Sequence, residues 1–286
     1  MTAAGSLKKK GDGLKPGTLL THILFIGIAV LWVYPFVWMV SASFKSSGEF
    51  FGNRLRLLPQ EFTWENIIRV WTAERFSTYF LNSVVITVFT VLLVLAMTAL
   101  TGYVLGRYEF FGKKLMLGLF VASITIPLAS TIIPIYQIIR QMGLVGTRTG
   151  VVLASAGGGH VIFLLLFLSA FKALPKELEE AAILDGCGFF GTFWHVMLHL
   201  VRPVCVTVVI METIWSWNSF LLPLVLTLSN PASRTLAVGL YSFQGENTVD
   251  WTGIAAGGTI AVVPIIVLFI AMQKYFVDGV AGAVKS

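Results

Sequence analysis

What most limits the fold of this chain is a series of long stretches without Asp, Glu, Lys or Arg. Charge-free runs extend from Pro16 to Phe44, Phe76 to Gly106, Leu115 to Ile139, Thr149 to Phe171 and Trp251 to Gln273. A further run from Pro203 to Ser233 is interrupted only by Glu212. A bilayer core about 30 Å thick takes roughly 20 apolar residues in a helix, because lipid leaves the backbone to satisfy its own hydrogen bonds. Six segments meet that length. The predicted fold class is therefore all-α, a polytopic membrane protein with six transmembrane helices. The chain is 56% hydrophobic and only 12% charged, which argues against a free-standing soluble enzyme.

An even number of spans puts both termini on one side, and the basic residues in the connections indicate which. The N-terminal arm, the second and fourth connections and the C-terminal tail hold 12 of the 20 Lys and Arg. Those connections are predicted to be cytoplasmic, with the loop from Lys45 to Arg75 as the dissenter. The expected organisation is a cytoplasmic arm at 1–15, a membrane domain at 16–275 with a cytoplasmic loop at 172–202, and a cytoplasmic tail at 276–286. Lys8, Lys9 and Lys10 precede an apolar stretch too long for a signal peptide, so a retained first helix is expected. The net charge of +6 lies in these short segments and reads as a topology signal, with no nucleic-acid partner implied. Cys187 and Cys205 have neither CxxC nor paired-His spacing, so neither a disulfide framework nor a zinc site is indicated.

Pro35, Pro127, Pro134, Pro223 and Pro264 fall inside or near the ends of apolar runs, and Gly157, Gly158 and Gly159 are consecutive in the fourth. Such breaks suit a translocation path, although close helix packing through small residues explains each one singly.

The connection from Lys172 to Arg202 reads as two helices and a turn. Leu174-Pro175 suggests a proline at a first helical position, and Glu177, Glu179 and Glu180 put carboxylates at the positive end of the helix dipole. Ala181, Ala182, Ile183 and Leu184 form a small apolar ridge before Asp185-Gly186 turns the chain, and a second amphipathic helix runs from Phe189 to Leu200. Alanine lets two backbones approach closely, so a short helix of this kind can dock in a groove of a soluble partner. Three carboxylates count against its lying on an anionic membrane surface.

The stretch Glu180-Ala181-Ala182-Ile183-Leu184-Asp185-Gly186, followed by a helix ending at Arg202-Pro203, resembles the EAA loop of bacterial ABC importer permeases. The whole chain is similar to the maltose-type carbohydrate-uptake permeases. Ser43-Phe44-Lys45, Asn82-Ser83, Trp217-Asn218-Ser219-Phe220 with Leu222-Pro223-Leu224, Thr235-Leu236-Ala237-Val238-Gly239 and the tail from Gly279 to Lys285 carry that likeness. His199 departs from it, standing where the family commonly has a proline. The resemblance implies a subunit that works with a second similar permease, two cytoplasmic ABC ATPase subunits, an extracytoplasmic sugar-binding protein and a sugar, oligosaccharides being the family expectation. It also implies that ATP and magnesium belong to the ATPase subunits and that this chain has no cofactor. Consistent with this, Gly106 to Lys114 has one residue too many between its glycines for a phosphate loop and lacks the Ser or Thr for magnesium. By the resemblance, Glu180, Ala181, Ala182, Asp185 and Gly186 are the ATPase-coupling residues.

Glu212 is the one acidic residue inside an apolar run, about 10 residues past Arg202 and so roughly 15 Å along a helix, near the bilayer midplane. A carboxylate there is costly and faces protein or water. Trp215, Ser216 and Ser219 follow at helical spacings with Asn218 beside them, so one face offers an acid, an aromatic plane and hydroxyls. These five are the candidate substrate path. Trp215 and Trp217 serve equally well as packing or interface aromatics. His160 reads either as path-lining or as a buried histidine bonded to a carbonyl. His195 and His199 have i, i+4 spacing but no third ligand, so no metal is expected. The segment Thr63-Trp64-Glu65-Asn66 to Trp71 fits contact with the binding protein or an interfacial helix.

Two rival classes are weaker. An ion-coupled secondary transporter would use Glu212 and His160 as a proton relay but has no use for the EAA-like loop. A polytopic enzyme lacks a convergent catalytic set.

Overall fold

The structure, a computed structural model, describes residues 16–52, 56–72, 75–158, 160–245 and 249–284. The predicted arm at 1–15, with Lys8 to Lys10, lies outside the described residues, as do Gly159 and Lys285. The described chain is almost all helix, apart from a lone antiparallel bridge between Gln244 and Val249. In chain order the helices are α1 (Pro16–Ala42), α2 (Ser47–Gly52), α3 (Glu65–Thr72), α4 (Phe76–Arg107), α5 (Lys113–Ser123), α6 (Leu128–Gln141), α7 (Arg148–Ala156) and α8 (Val161–Ala173). They continue as α9 (Glu177–Leu184), α10 (Phe189–Leu200, with a π-helical turn at Thr192–Met197), α11 (Arg202–Asn218), α12 (Leu221–Thr227), α13 (Leu236–Tyr241) and α14 (Trp251–Val284).

Three single helices among the described residues are long and apolar enough to cross a membrane, at Leu20–Ala42, Phe76–Arg107 and Trp251–Gln273. Two more apolar lengths are bent pairs, α7 with α8 at 54° and α10 with α11 at 81°. The apolar runs at Thr149–Phe171, Pro203–Ser233 and Leu115–Ile139 are each broken into more than one helix. The breaks fall at Gly157-Gly158, at Ser219-Phe220 and ahead of Pro127, which has no N–H to donate and keeps its neighbour out of the helical region. Still, α5 and α6 together lead from Tyr108, beside Glu179, to Gly146, whose N–H donates to the Leu226 carbonyl (2.8 Å) at the opposite end of the bundle.

The bundle is organised on α4, which packs on α3, α7, α8, α11 and α13. Its closest neighbour is α8, because Gly102 and Gly106 lie one turn apart and leave room for the other backbone. A Cβ on Gly102 would stand 2.5 Å from Phe167 Cβ, and one on Gly106 would stand 3.0 Å from the Leu168 carbonyl. In lipid, where apolar burial gives little drive, such close packing holds helices together. Tyr103, Phe163, Phe167, Phe171, Phe193 and Met197 fill the core beside it. By contrast, α1 exposes its side chains from Leu20 to Val37 and touches the bundle at its end, where Ala42 meets Phe50 and Ala255.

Polar side chains bind the loops at the end where α4 begins. Asn82 Nδ2 donates to the carbonyls of Ala232 (2.8 Å) and Arg234 (2.9 Å), while Ser83 Oγ accepts from Leu236 N–H (2.8 Å). Asn66 Nδ2 donates to the carbonyls of Ser43 (3.1 Å) and Lys45 (2.7 Å), and Lys45 Nζ reaches the Arg56 carbonyl. Arg69 pairs with Asp250 at 2.7 Å, and Asp250 caps α14 by accepting from Gly253 N–H. Several stretches that carried the family likeness therefore serve to hold this end together.

Candidate functional site

At the other end of the bundle the chain forms the two-helix loop. Leu174 is extended, as a residue before proline tends to be, so Pro175 precedes the helix and α9 starts at Glu177. The predicted proline at a first helical position is displaced by that geometry. At its far end, Cys187 N–H donates to the Ala182 carbonyl (3.0 Å) and Gly186 N–H to the Ile183 carbonyl (3.0 Å), which is a Schellman cap. Gly186 sits at φ +86°, a left-handed conformation that costs a β-substituted residue about 1–2 kcal/mol. A Gly186→Val chain is expected to lose that amount of stability in the loop, read as faster proteolysis between Ile183 and Gly188 with unchanged cleavage elsewhere.

The predicted coupling residues divide into two faces. Glu180, Ala181 and Asp185 are exposed together with Ile183 and Leu184, and Leu184 is 87% exposed. Ala182 is turned inward and 5% exposed, so its close approach is to this chain's own α10. A large side chain there disturbs the fold before it can disturb a partner.

Sequence reasoning overlooked the residue that anchors the loop. Arg107, counted only as a topology signal, has a side chain 4% exposed, and its Nε donates to Glu179 Oε2 at 2.7 Å. Its Nη1 donates to the Leu174 carbonyl (2.8 Å) and its Nη2 to the Pro175 carbonyl (3.3 Å). The hydroxyls of Tyr103 (2.5 Å) and Tyr108 (3.1 Å) donate to Glu179 Oε1. Burial works against charge on Glu179, yet Tyr103, Arg107 and Tyr108 together hold its carboxyl below the usual carboxylate range. It is a carboxylate at neutral pH. The available signal was a basic residue ending one helix and an acid opening another, with four helices between them, which local pattern cannot pair.

In the middle of the bundle, Glu212, Trp215, Ser216, Asn218 and Ser219 all line one cleft of about 710 Å³, walled also by α6, α7 and His160. Glu212 is 2% exposed, and its Oε2 stands 3.2 Å from His160 Nδ1. His160 Nε2 bonds the Ser155 carbonyl at 2.9 Å. A carbonyl only accepts, so Nε2 carries a proton, and the acid and imidazole face each other across the remaining one. His160 both lines the cleft and is bonded to a carbonyl, so its two readings are compatible. Trp215 is 43% exposed, with one face stacked on Phe163 (4.9 Å, 21°). Ser216 Oγ is buried with no hydrogen-bond partner among the described residues. Asn218 Nδ2 is tied to the Ile214 carbonyl (2.8 Å).

Other candidates resolve into structure. Trp217 is buried and its Nε1 donates to the Ala261 carbonyl (3.1 Å), a packing role. His195 and His199 are exposed, and each Nδ1 lies 3.2 Å from a carbonyl of its own helix. The chain bends at Val201, with Pro203 opening α11, so His199 does not remove the turn back to the membrane.

A permease is the class that this bundle, loop and cleft define, and comparison with known proteins agrees. Residues 98–282 match the family described as the binding-protein-dependent transport system inner membrane component. The probable ABC transporter permease protein YurM of Bacillus subtilis is 36% identical over 272 residues, 91% of this chain and 90% of that protein. The diacetylchitobiose uptake system permease protein NgcG of Streptomyces coelicolor is 32% identical over 93% of this chain and 87% of its own. A crystal structure of a bacterial ABC transporter involved in the import of the acidic polysaccharide alginate superposes with a TM-score of 0.81 at 22% identity. It covers 95% of this chain and 100% of that one.

The chain belongs to the binding-protein-dependent transport system inner membrane component family. It is a multi-pass inner-membrane permease subunit of an ABC importer, a transport component and not an enzyme, and it works with an ATPase and a substrate-binding protein. The ion-coupled alternative gives way to that reading.

Proposed function

We propose that this chain forms half of the translocation path of a sugar importer, with an oligosaccharide as cargo. A second similar permease forms the other half, and two ATPase subunits carry the ATP and magnesium. The observation that carries this reading is the cleft itself. Four residues of α11 and Ser219 just beyond its end meet in one cavity that combines a half-exposed indole, a hydroxyl unpartnered among the described residues and a buried carboxylate. Sugars are bound through their hydroxyls and by packing their apolar ring faces on aromatics. Permeases named for diacetylchitobiose, starch degradation products and arabinooligosaccharides are 32–34% identical to this chain, which supports the substrate class.

The loop end of the bundle is cytoplasmic in this reading, and so are both termini. The bias of 12 of 20 basic residues supports that, and counting α5 with α6 as one broken crossing gives six. Closure of the ATPase pair moves the grooves that hold the outward face of α9, and the permeases rock from inward-facing to outward-facing to accept sugar from the binding protein. The exposed Trp64, Ile68 and Trp71 at the opposite end form a surface for that protein.

Two experiments test the proposal. Saccharides are supplied, with the binding protein, to the complex co-purified with this chain; an oligosaccharide is expected to stimulate ATP hydrolysis, and uptake driven by a proton gradient without ATP would refute it. Ala181→Trp, on the exposed face, is expected to insert normally yet lose both the ATPase and uptake. Undiminished uptake would refute docking through α9.

A further inference from the structure

We propose that Arg107 is a positioning residue that locks the coupling helix α9 to α4, so that a displacement of α9 is delivered to the cleft as movement of one rigid body. The inference rests on the reading that α9 docks on the ATPase.

The joint is built from both sides. Arg107 ends α4, and its guanidinium holds Glu179 on α9 and the carbonyls of Leu174 and Pro175, two of the three residues that link α8 to α9. Its Nη1 also lies 3.4 Å from the Phe171 carbonyl in the last turn of α8. A cation there meets the last carbonyls and the negative dipole end of that helix. One turn back on α4, Tyr103 grips the other Glu179 oxygen and is itself fully buried among Phe171 and Phe193. Three elements, α4, α8 and α9, thus converge on one planar ion that is almost inaccessible to water. From this joint α4 runs unbroken through the bundle and packs along α11, the helix that carries Glu212. Val94 of α4 and Val208 of α11 share one core cluster. A push on α9 has a continuous path of rigid helix to the cleft wall.

The forked geometry gives the test its discrimination. Lys keeps the charge but carries its three donors on one nitrogen and cannot span a carboxylate and two carbonyls as the fork does. Gln at 179 keeps the shape and loses the charge. Arg107→Lys and Glu179→Gln are assembled with the partner permease, the ATPase and the binding protein in lipid vesicles, and sugar imported per ATP hydrolysed is measured. Both variants are expected to retain the ATPase and its hydrolysis while import per ATP falls about tenfold, the loss of a charge-assisted hydrogen bond expressed as a ratio. An unchanged ratio in the assembled variants overturns the proposal. So does a fall in yield and import together with the ratio preserved, which is what a merely structural bridge produces. Ala181→Trp serves as the reference: if that variant keeps the ATPase and imports normally, the docking reading fails first and the lever fails with it. If it loses the ATPase while the two joint variants keep their ratio, only the lever fails.

Discussion

Gly102→Leu is expected to abolish accumulation of folded permease. The new Cβ alone would stand 2.5 Å from Phe167 Cβ and 3.0 Å from Leu168 N, and neither neighbour can yield. Phe167 is fully buried in the core cluster, and Leu168 presents backbone. Overpacking of a filled core by a methylene or so costs about 1–3 kcal/mol, and leucine adds three further carbons beyond the Cβ. Whole-domain stability is only about 5–15 kcal/mol, so forcing α4 from α8 removes the central contact of the bundle. Membrane-fraction abundance and monodispersity in detergent are the measurements. Wild-type levels of monodisperse protein would show that these helices do not touch at Gly102. The same leucine at Gly118, whose Cβ would meet nothing within 4 Å, is the control and should be tolerated.

Glu212→Gln should raise the sugar concentration for half-maximal uptake about 10- to 100-fold without lowering abundance. A hydrogen bond to a charged group contributes about 1.5–3 kcal/mol, and that range converts to the stated factor. Gln occupies the same volume, and its amide can still face His160 Nδ1, so the buried neighbourhood is kept. Trp215→Ala is the companion. Because Trp215 is 43% exposed, its truncation removes a wall of the cleft more than it removes core. A drop in abundance with unchanged half-saturation in both variants would mean that the pair and the indole serve packing alone, with sugar contacts supplied by the partner permease.

Much of the architecture was legible because the lipid acts residue by residue. The run Pro16–Phe44 is α1 to within two residues, Phe76–Gly106 is α4 to within one, and Trp251–Gln273 lies inside α14. The loop, too, was readable, since carboxylates at a helix start and Asp185-Gly186 at its stop are local signals. Glu212 stood out because a charge in an apolar run needs a reason. Where the breaks fall was less legible: Pro35 and Pro264 lie inside continuous helices, while Gly157-Gly158 and Ser219-Phe220 interrupt theirs. A proline or glycine permits a break, and only neighbouring helices that accept the freed backbone groups decide whether one occurs.

What the sequence determined alone is that this chain lives in a membrane, roughly where it crosses, and that it offers a short acidic helix outside. These are sums over adjacent residues, each set by transfer from water to lipid or by helix-end electrostatics. The tertiary structure decided which side chains meet. Arg107 and Glu179 are 72 residues apart, and the joint between them exists because Gly102 and Gly106 bring α8 against α4. His160 faces Glu212 because the bend after α7 delivers it there, and Ala182 faces inward because α10 folds back beneath it. Pairings of this kind depend on close packing in three dimensions, and no periodicity along the chain encodes them.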